Sequence, residues 1–305
     1  MRRIIATRLR YTRAMRRVAE PSLDTGLQLA AAHADGWQAR LDLGYLRTGE
    51  RTVLTSRAHH GPLVVQKSLY PEGEAVCQNI IIHPPGGMVG GDSLAVNVDA
   101  GPRTHVQLTT PGAAKCYRSA GPFARQRIRL RAAQGAILEW LPQETIVFDA
   151  AKVELEIAIE LDRDAVFMGW DVVCLGRTAA GERFDRGAVR QRLTLTRDGA
   201  PAFIERALLN GGDPMLASPI GLHANPVFGT FLATMPVITD AMLEPCRRVT
   251  AMTGEGAVTR LPGVLIGRYR GASAAAARRY FVDLWRKLRP VMAFRAAVLP
   301  RIWTT

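Results

Sequence analysis

No stretch of this chain is apolar for long enough to cross a membrane as a helix. The longest run, Val166–Leu175, is interrupted by Gly169, Trp170 and Asp171, well short of the roughly 18 residues a span requires. Cysteine is sparse: Cys77, Cys116, Cys174 and Cys246 stand far apart and form no CxxC pair. A zinc ribbon or thioredoxin-like redox motif is thereby excluded, and buried free thiols in a reducing, cytoplasmic compartment are expected. Aromatics make up only 7% of the residues, which argues against the stacking platforms of a single-strand nucleic-acid binder. HExxH, GxSxG and paired-carboxylate spacings are also missing.

Positive charge is what the sequence has in excess. Forty Lys and Arg face 27 Asp and Glu, a formal charge of +13. Such a surplus favours solubility and speeds encounters with acidic partners without specifying a fold. Part of it is local: Arg2, Arg3, Arg8, Arg10, Arg13, Arg16 and Arg17 crowd the start, with no acid before Glu20. Residues 1–35 are therefore read as a flexible Arg-rich extension, and residues 36–305 as one domain. A transit peptide or nucleic-acid arm is the sharper reading of that arginine cluster; no secretory signal pattern is evident.

From Trp37 onward the hydrophobic period is two. Leu41, Leu43 and Tyr45 alternate with Arg40, Asp42 and Gly44; Val153, Leu155, Ile157, Ile159 and Leu161 alternate with mostly charged neighbours. Each pattern predicts a half-buried strand. Further strands are expected at 52–57, 63–69, 77–82, 105–109, 136–141, 189–196 and 203–207, separated by Gly and Pro turns. Strands this numerous, with no helices between them, predict a mostly β fold with a large antiparallel architecture. Helices are expected only late, over about 239–252 and 273–288. In the second, Tyr280, Phe281, Leu284 and Trp285 share one stripe, a candidate partner-binding face.

The most informative segment runs from His83 to Asp92, His-Pro-Pro-Gly-Gly-Met-Val-Gly-Gly-Asp. A phosphate-binding P-loop ends in Gly-Lys-Ser/Thr, because the lysine reaches phosphate. Here Asp92 follows the last glycine, and a carboxylate repels phosphate. No helix opens after the segment, so a dinucleotide fingerprint fails too. Gly86, Gly87, Gly90 and Gly91 read instead as a structural loop, supplying positive φ or close backbone approach. His83 and Asp92 are acceptable ligands for a borderline divalent ion, though a structural hydrogen-bonded pair explains them as simply. His83, Asp92 and Cys116 could also serve a hydrolase or transferase, the thiol lying near Lys115 and Arg118. The Arg125, Arg127, Arg129 and Arg131 stripe needs acids opposite, and Glu154, Glu156 and Glu160 are the expected neighbours. A basic nucleic-acid binder is the third option.

Five blocks in order resemble one family. They are the His83–Asp92 segment; Thr-Thr-Pro-Gly-Ala-Ala-Lys-Cys-Tyr-Arg-Ser at 109–119; Leu-Glu-Trp-Leu-Pro-Gln-Glu at 138–144; Trp-Asp-Val-Val-Cys-Leu-Gly-Arg at 170–177; and Leu-Pro-Arg-Ile-Trp at 299–303. Together they are similar to the urease accessory protein family UreD, also called UreH, over about 36–305. Cys116 stands where that pattern suggests phenylalanine. The resemblance implies a mostly β scaffold that is not an enzyme. It also implies association with UreF, the GTPase UreG and apo-urease, as a dimer of UreD–UreF units, with no nucleic acid and no membrane. Its implied role is a chaperone for nickel insertion, with no tightly bound cofactor and nickel only in transit through an internal channel. Such a path needs weak, exchangeable donors, and His83, Asp92, Glu144, Asp171 and Glu182 are the candidates in or beside the matching blocks. Their alternative is turn capping and salt bridging.

Overall fold

Strands that alternate in burial and strands buried on both faces fall into two different sheets. The structure, a computed structural model, describes residues 36–304. In chain order its first strands are β1 (Gln38–Thr48), β2 (Arg51–His60), β3 (Val64–Val65), β4 (Val76–Ile82), β5 (Ser93–Ala100), β6 (His105–Thr109), β7 (Ala114–Cys116) and β8 (Ala124–Ala132). Next come β9 (Ile137–Leu141), β10 (Thr145–Val147), β11 (Lys152–Leu161), β12 (Val166–Leu175), β13 (Ala188–Arg197) and β14 (Ala200–Asn210). A short helix α1 (Pro214–Ala217) precedes β15 (Val227–Thr234), α2 (Asp240–Arg247), β16 (Glu255–Leu261), β17 (Val264–Gly271) and α3 (Ala274–Met292).

One seven-stranded sheet has the order β14-β13-β11-β8-β5-β1-β2, and a ten-stranded sheet follows the path β16-β17-β15-β12-β9-β6-β4-β3 with β7 and β10 attached. In the first sheet the odd residues of β11 (Val153 to Leu161) are buried while its even residues are only partly so. Its inner face meets the second sheet through Leu41, Val98, Leu130, Ile159, Leu138 and Phe167. Helices α2 and α3 cover the other side of the second sheet, so its strands are buried on both faces. That is why every residue of β6 and all but Asp171 of β12 are buried, whereas burial alternates along β11.

The mostly β fold with late helices is as the sequence predicts, but the strand directions are mixed rather than antiparallel. Among the described residues, nine of the fifteen strand pairings are parallel. From β4 to β13 the chain passes back and forth between sheets, so each return to a sheet arrives in the same direction. Parallel strands normally need a helical crossover; here a strand of the facing sheet serves as the crossover. The absence of intervening helices therefore does not imply antiparallel pairing.

Two helix boundaries also differ. Helix α2 stops at Arg247, with Pro245 inside it. Helix α3 starts after Ser273, whose side chain accepts from Ala276 N, and runs past Pro290 to Met292. In the last turn the proline forgoes a single backbone bond, which the helix tolerates. The expected strand at 63–69 shrinks to two residues, and β15, β16 and β17 lie where none was predicted. The N-terminal arginine cluster falls outside the described residues.

Tyr280, Phe281, Leu284 and Trp285 are 0–2% exposed. Their stripe is packed onto the second sheet, with Phe281 against Trp170 and Phe231, and each such side chain contributes about 1.5–3 kcal/mol of burial. It is core, and the reading of it as a partner face is corrected. An apolar stripe at helical spacing shows that a helix buries one side; it does not show what that side meets.

Candidate functional site

The glycine segment is the crossover from β4 to β5, and it is pinned at both ends. Met88 N donates to Lys115 O (2.7 Å) and Tyr117 N to Met88 O (2.8 Å). Gly91 adopts φ +98, and a Cβ at Gly87 would fall 2.4 Å from the Tyr117 ring. Gly86 shares the positive φ and Gly90 the crowding, against Ser119. Asp92 closes the loop: its Oδ1 accepts from Trp37 N (2.7 Å) and its Oδ2 from Val89 N (2.8 Å). With both oxygens so committed, this carboxylate fixes the turn.

Behind the loop, between the sheets, lies a cavity of about 220 Å³. Its walls are mostly apolar, including Ile81, Met88, Val96, Ile128, Trp140 and Ile157. His83 and Lys115 line it, and so does Asp171. Strand β12 directs Asp171 toward the first sheet, where Gln191 Nε2 donates to its Oδ2 (2.7 Å). Burial pushes the Asp171 carboxyl up to about 6, with nearby Glu205 adding to the rise. The part of this residue that is not packed faces the cavity it lines. A second void, about 10 Å³, shares Trp140, Ile157 and Asp171 and extends to Leu193, Thr230 and Leu232. Trp140 Nε1 and Gln191 Oε1 are buried with no hydrogen-bond partner among the described residues. A small polar species in this space would find the titratable Asp171 carboxylate beside the Trp140 ring. Burial pulls His83 down, against the pull of Asp92, which keeps its imidazole neutral and able to ligate.

The five sequence-predicted residues do not converge. His83 and Asp171 line one cavity, while Asp92 is spent on the loop. Glu144 pairs with Arg278 at 3.3 Å. Glu182 accepts from Asp149 N (2.7 Å) and pairs with Arg177 (2.5 Å), on a different pocket. Among the described residues no three His, Cys, Asp or Glu side chains group as ligands of one ion. Cys116 is 1% exposed and burial raises its thiol to about 12. A nucleophile needs the thiolate, so the hydrolase or transferase reading loses its central residue. The arginine stripe meets its expected acids: Arg125 pairs with Glu154 (2.8 Å), Arg127 with Glu156 (3.5 Å) and Arg129 with Glu160 (2.7 Å).

The charged cluster missed from sequence lies on the opposite face of the second sheet, under α3. Gln78, Gln107 and Glu139 are in register across β4, β6 and β9. Gln78 donates to Gln107, whose Nε2 donates to Glu139 Oε2 (2.8 Å). Glu139 Oε1 contacts His105 Nε2 (2.7 Å) and accepts from Arg289 Nε (2.8 Å). Arg289 also grips Glu72 with both Nη atoms, at 2.6 and 2.9 Å. Burial pushes the Glu139 carboxyl up, but His105, Arg289 and Gln107 outweigh it and hold it at about 2. Arg289 and Glu139 are 150 positions apart, and no local pattern links them.

The family model for the UreD urease accessory protein matches residues 38–304. The chain is 51% identical to the urease accessory protein UreD of Dechloromonas aromatica (strain RCB) over 277 residues, 90% of this chain and 96% of that one. It is 50% identical to the protein of that name from Azoarcus sp. (strain BH72), covering 91% and 98%. It is 48% identical to that of Nitrosococcus oceani, covering 88% and 90%.

Proposed function

Because the chain belongs to the UreD family of urease accessory proteins, we propose that it acts in urease maturation as a non-catalytic scaffold for nickel insertion. The match across residues 38–304 carries the maturation role. In this reading the chain works in the cytoplasm in a complex with UreF and the GTPase UreG, built as a dimer of UreD–UreF units, and the complex docks on apo-urease. No helix among the described residues is long and apolar enough to cross a membrane.

The cavity between the sheets supports the route for the ion. Nickel is cargo here, so donors should be few and exchangeable rather than a closed cage. His83 and Asp171, on the walls of one cavity, suit that requirement. A carboxyl near pH 6 can take the ion in its charged form and release it on protonation. Of the five candidates, these two are the transit donors; Asp92, Glu144 and Glu182 lie off the cavity wall, committed to the loop, to Arg278 and to Arg177.

The test is co-expression with UreF, UreG and urease, reading urease activity and bound nickel. Deleting the chain should abolish activation, and unchanged activation would sink the maturation role. Asp171→Asn and His83→Ala should lower nickel content about tenfold, the cost of one lost ligand or its support, while the complex still co-purifies. Glu182→Gln should leave loading near wild type. Full loading in both cavity variants would discard this route and leave the scaffold role standing.

A further inference from the structure

Helix α3 buries its apolar stripe, yet its last turn and the chain that leaves it turn four apolar side chains to water. Val291 is 49% exposed, Phe294 87%, Val298 41% and Leu299 38%. Single exposed apolar residues are ordinary; four within one short stretch are not. This stretch is also stitched down. Met292 and Ala293 are buried, Ala293 N donates to Arg289 O (2.8 Å), and Trp303 Nε1 donates to Thr109 Oγ1 (2.8 Å).

Phe294 is the extreme case. Its φ is +53, a left-handed conformation that costs an aromatic residue roughly 1–2 kcal/mol. The surroundings impose it: the buried Arg289 guanidinium donates to the Ala296 carbonyl, and Arg295 Nη1 donates to Glu72 O (3.3 Å). Glycine would relieve the strain, but the chain places a phenylalanine there and leaves its ring in solvent. Strain held in place by a buried ion cluster, on a side chain with almost no internal contact, points to a contact outside the molecule.

Charge indicates what makes that contact. From Leu284 to Thr304 the sequence contains no Asp or Glu. Arg289 is spent on Glu72 and Glu139, and Arg286 is paired with Asp283. Lys287 and Arg301 are exposed with no ion pair among the described residues. A second copy of the chain would bring the same cations against these, so self-association is disfavoured. A lipid surface is better served by a long amphipathic helix lying flat than by a short anchored turn. An acidic helix with one apolar face satisfies both features.

We propose that Val291, Phe294, Val298 and Leu299, flanked in the sequence by Lys287 and Arg301, form a docking face for an acidic, apolar-faced helix of a partner protein. The face is argued from its own geometry and does not depend on the nickel route. The probe is a fluorescein-labelled synthetic helix with Leu at i, i+3, i+4 and i+7 and Glu elsewhere, with a Lys-for-Glu version as control. Anisotropy with the purified full chain should show binding of the Glu helix that weakens with salt, and none of the Lys helix. Phe294→Gly should weaken binding about tenfold, as loss of an aromatic anchor does, without lowering the thermal midpoint; Val298→Ser should weaken it less. Equal binding by Phe294→Gly and wild type overturns the proposal, and so does a lowered midpoint, which would make Phe294 structural. Two further results would also overturn it. One is binding to phosphatidylserine vesicles but not to the Glu helix. The other is a dimer in light scattering that Phe294→Gly abolishes.

Discussion

Glu139 and Asp171 sit on neighbouring strands of one sheet, on opposite faces, and their environments push them in opposite directions. Glu139 is held at about 2 by His105, Arg289 and Gln107 despite full burial. Asp171 has one amide donor and a cavity, and burial raises it to about 6. The first carboxylate is compensated at each oxygen and fastens α3 to the sheet. The second keeps part of its hydrogen-bonding capacity unspent, beside two unpartnered buried polar atoms. Burial alone therefore does not mark a functional acid; burial without compensation does.

The largest effect expected from breaking this contrast is at Arg289. Arg289→Met strands Glu139 and Glu72 together and should cost about 3–5 kcal/mol in urea unfolding. Replacing Arg289, Glu139 and Glu72 together by apolar residues should restore most of that loss, since the three-way cluster is a fastener and not a reagent. Glu139→Gln comes next, at about 3 kcal/mol near neutral pH. A folded value of about 2 against an ordinary 4.5 means that this stabilisation is present above pH 4.5 and vanishes as pH falls through 2. Unfolding at pH 7 and pH 3 should show the gap between variant and wild type narrowing in acid. A constant gap would mean that Glu139 is not held as an anion.

Much of this contrast was hidden from the sequence for identifiable reasons. Period-two alternation in β11 was legible, because one-sided burial leaves that pattern. Strand direction was not, because a strand of the facing sheet replaces the helical crossover. Asp171 stood out as an acid inside an apolar run. Glu139 did not, and its partner Arg289 lies in a helix where other cations look the same in sequence. Asp92 and Glu182 were candidates for lying in or beside the family's blocks, and their neighbours instead commit them to backbone donors and, for Glu182, a salt bridge.

Asp171 should respond with the opposite sign. Its folded value of about 6 lies above the ordinary 3.8, so its contribution is fully present below pH 3.8 and lost as pH rises through 6. Asp171→Asn should therefore match wild type in acid and exceed it by on the order of 2 kcal/mol at pH 8. The same variant should load less nickel into urease, a gain in stability coupled to a loss of function. If the variant is less stable at pH 8, Asp171 is compensated like Glu139 and the contrast fails.

The smallest effect should come from Trp140, whose ring lines both voids. Trp140→Phe deletes a buried N–H that has no partner among the described residues, which removes a penalty of about 1–3 kcal/mol. It also deletes ring volume from a wall already facing empty space, and imperfect packing returns a similar cost. The two should offset to within about 1 kcal/mol, with the pH at which Asp171 titrates left where it is. A loss well beyond that, together with a shifted Asp171 titration followed by NMR, would show that the indole is wired to the carboxylate. The cavity would then be a satisfied network like the one under α3, and the feature that singles out Asp171 would be gone.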